Sequence, residues 1–154
     1  MKTGFLERGG LWVICQGILM LGVLILSLQF HSEKRDIIFF IIGAILMGIG
    51  AYFGVAGAIA LNKNLTPFPK PVSDAVLVSH GIYSRVRHPL YTSVFLASLG
   101  WAITWQSWPA IICSLLLAPF FATKANKEEQ WLREQFPQYT DYAKTTWRFI
   151  PWVI

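Results

Sequence analysis

Residues 37–61 read IIFFIIGAILMGIGAYFGVAGAIAL, 25 positions without a charged side chain. A helix needs roughly 20 consecutive apolar residues to cross the hydrocarbon core of a bilayer. This block is therefore long enough to span with some tilt. Gly50 and Gly54 inside it form a G-x-x-x-G pair, where a second helix can approach closely. Packing within the chain is the simpler use of that pair; dimerisation is the alternative.

The same logic extends to either side. Upstream, HSEKRD at 31–36 is a tight polar turn, and 11–30 gives 20 uncharged residues, roughly 30 Å as a helix. A signal peptide would have a shorter apolar core and a small-residue cleavage site. Ser27-Leu28-Gln29-Phe30-His31 is no such site, so a retained helix is expected. Downstream, 62–89 is a long connection in which Pro67, Pro69 and Pro71 alternate, blocking helix and favouring extended chain. A third apolar block of 16 residues covers 90–105, roughly 24 Å as a helix and short for a full span. Gln106-Ser107 makes the next turn, and Pro109 suits the first turn of a fourth helix. That helix should kink at Pro119, turn amphipathic beyond Ala122, and stop before Pro137.

The expectation is one all-α integral membrane domain over 1–154, with four transmembrane helices near 11–30, 37–61, 90–105 and 109–136. The last of these runs out into a C-terminal amphipathic helix. Composition agrees: 55% of residues are hydrophobic, 14% are charged, and mean hydropathy is +0.50. A soluble domain carries about a quarter charged residues. The net charge of +5 is no nucleic-acid signature, because the basic residues flank apolar blocks. With four crossings, 11 Lys and Arg fall on one side and only Lys34 and Arg35 on the other. That split places both termini and the long connection in the cytoplasm. Cys15 and Cys113, both within apolar blocks, read as buried structural thiols.

Two stretches concentrate polar chemistry. One is HGIYSRVRHPLY at 80–91; the other is KANKEEQWLREQFPQYTDY at 124–142. If helices three and four form an antiparallel hairpin, both stretches lie at the same end. Carboxylates (Glu128, Glu129), a guanidinium (Arg87), imidazole, phenols and the backbone of 75–81 would then converge, enough to hold a zwitterionic small molecule. Plainer roles stand beside this one. For Arg87 that role is pairing with Glu128 or Glu129 simply to close the hairpin. Lys124 and Lys127 suit snorkelling anchors, and Tyr139 and Tyr142 suit interfacial aromatics. His80 and His88 are eight apart with no third ligand, so no metal site is expected.

Gly81-Ile82-Tyr83, then Arg87-His88-Pro89-Leu90-Tyr91, then Glu128-Glu129 with Leu132, followed by Phe136, Tyr139 and Tyr142, together resemble a known pattern. It is that of the isoprenylcysteine carboxyl methyltransferase family, in the wider group that includes the phospholipid N-methyltransferases. Asn64-Leu65-Thr66-Pro67 and Arg148-Phe149-Ile150-Pro151 extend the likeness, which looks closest to the short bacterial members and covers roughly 62–151. The resemblance implies an enzyme of the bacterial inner membrane that uses S-adenosylmethionine. It places Val76, Leu77 and Val78 along the adenine and Tyr83 beside it. His88, Pro89, Leu90 and Tyr91 would wall the cofactor, and Glu128 would hold its amino group. The family's acceptor-contacting arginine corresponds to Lys124, which lacks arginine's bidentate fork. Lys124, Arg87 and Glu129 are thus the expected catalytic residues, with Glu129 or a tyrosine as base if the acceptor is an amine. The acceptor would be apolar or lipid-like and would come from the bilayer; carboxylate, amine and thiol all stay open. Two rivals are an NADPH-dependent reductase of the sterol-reductase type, which shares an R-H-P-N-Y variant, and a non-catalytic membrane assembly protein.

Overall fold

A computed structural model describes residues 4–70 and 76–151. Pro71 of the alternating prolines and Ala75 of the expected site segment lie outside the described residues. Among the described residues six α-helices follow one another: α1 (Gly10–Gln29), α2 (Ile37–Leu61), α3 (Pro89–Thr104), α4 (Trp108–Leu115), α5 (Leu117–Gln135) and α6 (Tyr139–Thr145). Short 3-10 turns occupy Asn62–Asn64 and Gly81–Ser84. Among the described residues the sole β-type pairing is one parallel bridge between Val86 and Trp147.

The helix ends follow local chemistry. Asp36 caps α2, accepting a hydrogen bond from the Ile38 amide at 2.8 Å. Pro89 opens α3, where its missing N–H costs nothing. Ser107 precedes α4 without capping it; its hydroxyl instead donates to the Leu26 carbonyl at 3.0 Å and ties α4 to α1.

The expected fourth helix is two helices, broken at Leu116. Pro119 has no N–H to offer the Leu115 carbonyl and its ring crowds that carbonyl, so the strain appears a turn upstream of the proline. There the Leu116 amide is shared between the carbonyls of Ile112 and Cys113, at 3.3 and 3.2 Å.

α2 and α3 pack antiparallel along a stripe of small residues. Gly43, Gly50 and Gly57, seven apart, are all buried. A Cβ on Gly43 would lie 2.5 Å from the Gly100 carbonyl, and one on Gly50 3.0 Å from the Ser93 carbonyl. On Gly54 it would lie 2.5 Å from Ser93 Oγ. The G-x-x-x-G pair therefore serves packing inside the chain. α1 packs on α4, where Val23, Ala102 and Ala110 form a small core. The rest of α1 and α2 is inside out, with Leu11, Ile14, Ile18 and Leu21 exposed on one and Ile41, Ile45, Ile49 and Ile59 on the other. Cys15 is exposed on α1, not buried as its apolar block suggested, because α1 meets the bundle along one edge only.

Three helical stretches are long and apolar enough to cross a membrane: Gly10–Gln29, Ile37–Asn64 and Trp108–Gln135. α3, at 16 residues, is apolar but shorter, so the expected count of four spans rests on a helix below that length.

Candidate active site

The pocket sits where the end of α2, the start of α3 and the polar half of α5 meet. Gly81 turns the chain with φ +61°, a conformation that glycine adopts freely. The 3-10 turn it opens buries Tyr83 toward the pocket. The chain then runs parallel to its own tail. The Arg87 amide donates to the Trp147 carbonyl at 2.8 Å, the His88 amide to that of Arg148 at 3.0 Å, and the Trp147 amide to that of Arg85 at 2.8 Å. Thr92 Oγ1 adds a bond to the Phe149 carbonyl at 2.9 Å. Two stretches 60 positions apart thus fix each other immediately before α3 begins.

From this brace His88 and Tyr91 project onto α5. Their rings are stacked at 5.2 Å, and Tyr91 stacks in turn on Phe121 at 4.9 Å. The Tyr91 hydroxyl donates to Glu128 Oε2. His88 Nε2 lies 3.1 Å from Glu129 Oε1. Glu129 is a buried hub. Arg133 Nη2 reaches its Oε2 at 3.1 Å, Arg148 Nε reaches its Oε1 at 3.1 Å, and Arg87 Nε stands at 3.4 Å without a hydrogen bond's geometry. The other end of Arg87 donates from Nη1 to the Ala143 carbonyl at 2.6 Å and to that of Thr146. So Arg87 does close the α3–α5 end, on Glu129 and on the tail.

An open pocket lies against this framework. Val76, Leu77, Val78, Tyr83, Arg87, His88, Leu90, Tyr91 and Glu128 all line it. Asn64 Nδ2 donates to the Val76 carbonyl at 2.9 Å, clasping the two arms of the long connection. Three expected site residues stand behind the lining. Pro89 is buried beneath it, Glu129 is engaged by its cations, and Lys124 is 1% exposed. Lys124 Nζ donates to Gln16 Oε1 at 2.7 Å and to the Pro67 carbonyl at 3.3 Å, and sits 5.0 Å over the Tyr91 ring. It bolts α5 to α1 and to the connection.

Other lining residues were not assigned to the site from sequence, although several belong to the resembled pattern: Asn64, Thr66, Phe68 and Pro69 from the connection, and Leu132, Phe136, Tyr139 and Tyr142 from the far side. Tyr139 and Tyr142 were expected as interfacial aromatics, yet both face the pocket. The signal for them was their spacing of three, which puts Tyr139 and Tyr142 on one face of α6. Burial pushes the Tyr83 phenol well up, and Glu128 and Tyr142 nearby add to this. Burial likewise raises Tyr139, helped by the charge of Glu129. Tyr142 is pushed up to about 12 by burial, against the pull of Arg87. These phenols therefore stay neutral hydrogen-bonding groups at neutral pH.

Residues 38–139 match the phospholipid methyltransferase family. The chain belongs to that family. Among its relatives, protein-S-isoprenylcysteine O-methyltransferase of Dictyostelium discoideum is 29% identical over 124 residues, covering 71% of this chain and 48% of the relative. The enzyme of the same name from Schizosaccharomyces pombe is 28% identical over 131 residues, 80% of this chain and 56% of the relative. A nickel-cobalt-cadmium resistance protein of Alcaligenes xylosoxydans xylosoxydans is 30% identical over 146 residues, 94% of this chain and 65% of the relative. This member of the family thus spans about half to two thirds of the length of these relatives.

Proposed function

We propose that the chain is a membrane-embedded methyltransferase that uses S-adenosylmethionine and delivers the methyl group to an apolar or lipid-like acceptor coming from the bilayer. The observation that carries this reading is Glu128. Among the described residues lining the pocket it is the sole acidic one, its side chain is 26% exposed, and Tyr91 holds it in place. A carboxylate so placed suits an ammonium group, while Val76, Leu77 and Val78 offer an apolar slot for a planar base. The donor set fits S-adenosylmethionine, whose sulfonium would supply an electrophilic methyl group that passes in line to a nucleophile while sulfur keeps the electrons of the broken bond.

The protein's own work is then positioning. His88, Leu90 and Tyr91 wall the site, and Pro89 fixes the turn that carries them. Holding the reactants in line removes orientational entropy from the barrier. Arg87 and Glu129 keep the α3–α5 end closed. With Glu129 engaged by three guanidinium groups and His88, a free general base is not at hand there. This favours an acceptor that arrives deprotonated, a carboxylate or a thiolate, over an amine. Lys124, one helical turn before Glu128 and braced on Gln16 and Pro67, would shape the acceptor's way in. We place α3 as a fourth, short crossing, with both termini and the pocket on the cytoplasmic side of a bacterial inner membrane; the 11 to 2 split of basic residues supports this.

Calorimetry on the detergent-purified protein tests the reading. Micromolar binding of S-adenosylmethionine and S-adenosylhomocysteine, with none of NADPH, is the expected result. Binding of NADPH alone would make the protein a reductase, and a folded sample that binds none of the three would leave no methyl donor to propose.

A further inference from the structure

Tyr139 is 1% exposed and lines the pocket, yet its hydroxyl has no hydrogen-bond partner among the described residues. A buried hydroxyl that has given up water and gained nothing is costly, and such orphans call for a partner that is absent from the bare protein. Ser27 Oγ and Trp101 Nε1 share the condition, but neither belongs to the pocket lining. Tyr139 Oη and Arg87 Nε are therefore the unspent polar atoms among the residues that line the pocket.

The surroundings of Tyr139 decide the ligand's chemistry. Burial keeps the phenol protonated, so it has a proton to donate. Beside it, Arg87, Arg133 and Arg148 share the one carboxylate of Glu129, leaving positive charge in excess. Arg87 Nε is itself buried without a hydrogen bond. Donors and surplus cation in one corner ask for an anion that accepts hydrogen bonds. Glu128, in the same pocket, asks for a cation. One small ligand end carries both, an α-amino acid.

We propose that Tyr139 is a binding residue for the carboxylate of the methyl donor's amino-acid end, with the Arg87 charge behind it and Glu128 taking the ammonium. This rests on the reading above that the pocket takes S-adenosylmethionine. Tyr139 thereby fixes which way the amino-acid end lies, and with it the direction in which the methyl group points.

The test is a two-by-two calorimetric cycle on the detergent-purified chain. Wild type and Tyr139→Phe are each titrated with S-adenosylhomocysteine and with its decarboxylated counterpart, S-adenosyl-3-thiopropylamine. Tyr139→Phe should weaken S-adenosylhomocysteine by about tenfold and change the decarboxylated ligand by less than about twofold. Equal weakening of both ligands, or of neither, overturns the carboxylate role while leaving the donor reading intact. Failure of wild type to bind S-adenosylhomocysteine brings down the donor reading and this subsite with it. Should Tyr139→Phe not fold, wild type alone decides: the decarboxylated ligand must bind about tenfold or more weakly, and equal binding of the two ligands refutes the proposal.

Discussion

The α2–α3 seam and the α3–α5 end share one helix and are held by opposite means. Along the seam there are glycines, close backbones and no ionic contact, so stability comes from the absence of atoms. At the pocket end a single carboxylate gathers three guanidinium groups and an imidazole, and stability comes from every atom being present. Lipid around the seam competes poorly with close van der Waals contact between helices; at the pocket end Glu129 is buried, so a charge that loses its partner there has little water to rescue it.

The contrast can be broken first at Glu129. Replacing it with alanine leaves the surrounding cations uncompensated and should cost about 3–5 kcal/mol, seen as a steep loss of melting temperature in detergent. A variant as stable as wild type would remove Glu129 as the hub. The seam should fail in the other direction, by addition. Gly100→Val puts a Cβ 2.6 Å from the Gly43 carbonyl and 2.9 Å from Met47 Cγ, and should cost about 1–3 kcal/mol through overpacking. If that variant melts with wild type, the helices are not in this register.

Smaller effects sharpen the picture. Glu128→Gln removes a partly exposed carboxylate from the pocket and should weaken S-adenosylhomocysteine by about tenfold with the melting temperature little changed. Unchanged affinity takes Glu128 out of the site. Tyr142 donates to the Tyr83 carbonyl at 2.6 Å, and its folded pKa of about 12 exceeds the ordinary phenol value. Its contribution to stability is complete below about pH 10 and drains away as pH rises toward 12, a decline that Tyr142→Phe should flatten. Smallest of all, Gly48 has nothing within 4 Å of an added Cβ. Gly48→Ala should therefore be neutral or stabilise by up to about 1 kcal/mol, on the same helix where the seam glycines tolerate no addition.

Much of this was legible in the chain. The four apolar blocks and their turns follow from hydrophobic run length, which responds to a solvent that reads only local composition. The meeting of 87–91 with 128–129 followed from the hairpin between the third and fourth apolar blocks. What the sequence hid was long-range or cooperative. Lys124 reads as a snorkelling anchor or an acceptor contact; its bond to Gln16, 108 positions away, was not legible locally. Tyr139 and Tyr142 looked like interface residues because their spacing marks one helical face without saying what it meets, and only the fold brings α6 to the pocket. The break at Leu116 appeared upstream of Pro119 because a proline's effect falls on a carbonyl four residues earlier.

The brace between 85–88 and 146–149 also bears on the order in which the protein comes into being. Every apolar helix has been made before the tail is translated, yet the amides of Arg87 and His88 meet their carbonyl partners only when Trp147 and Arg148 emerge. A nascent chain halted at Thr145 would hold its apolar helices and lack the bonds that fix the turn before α3. The framework behind the pocket is therefore set last, after the helices that surround it have been made.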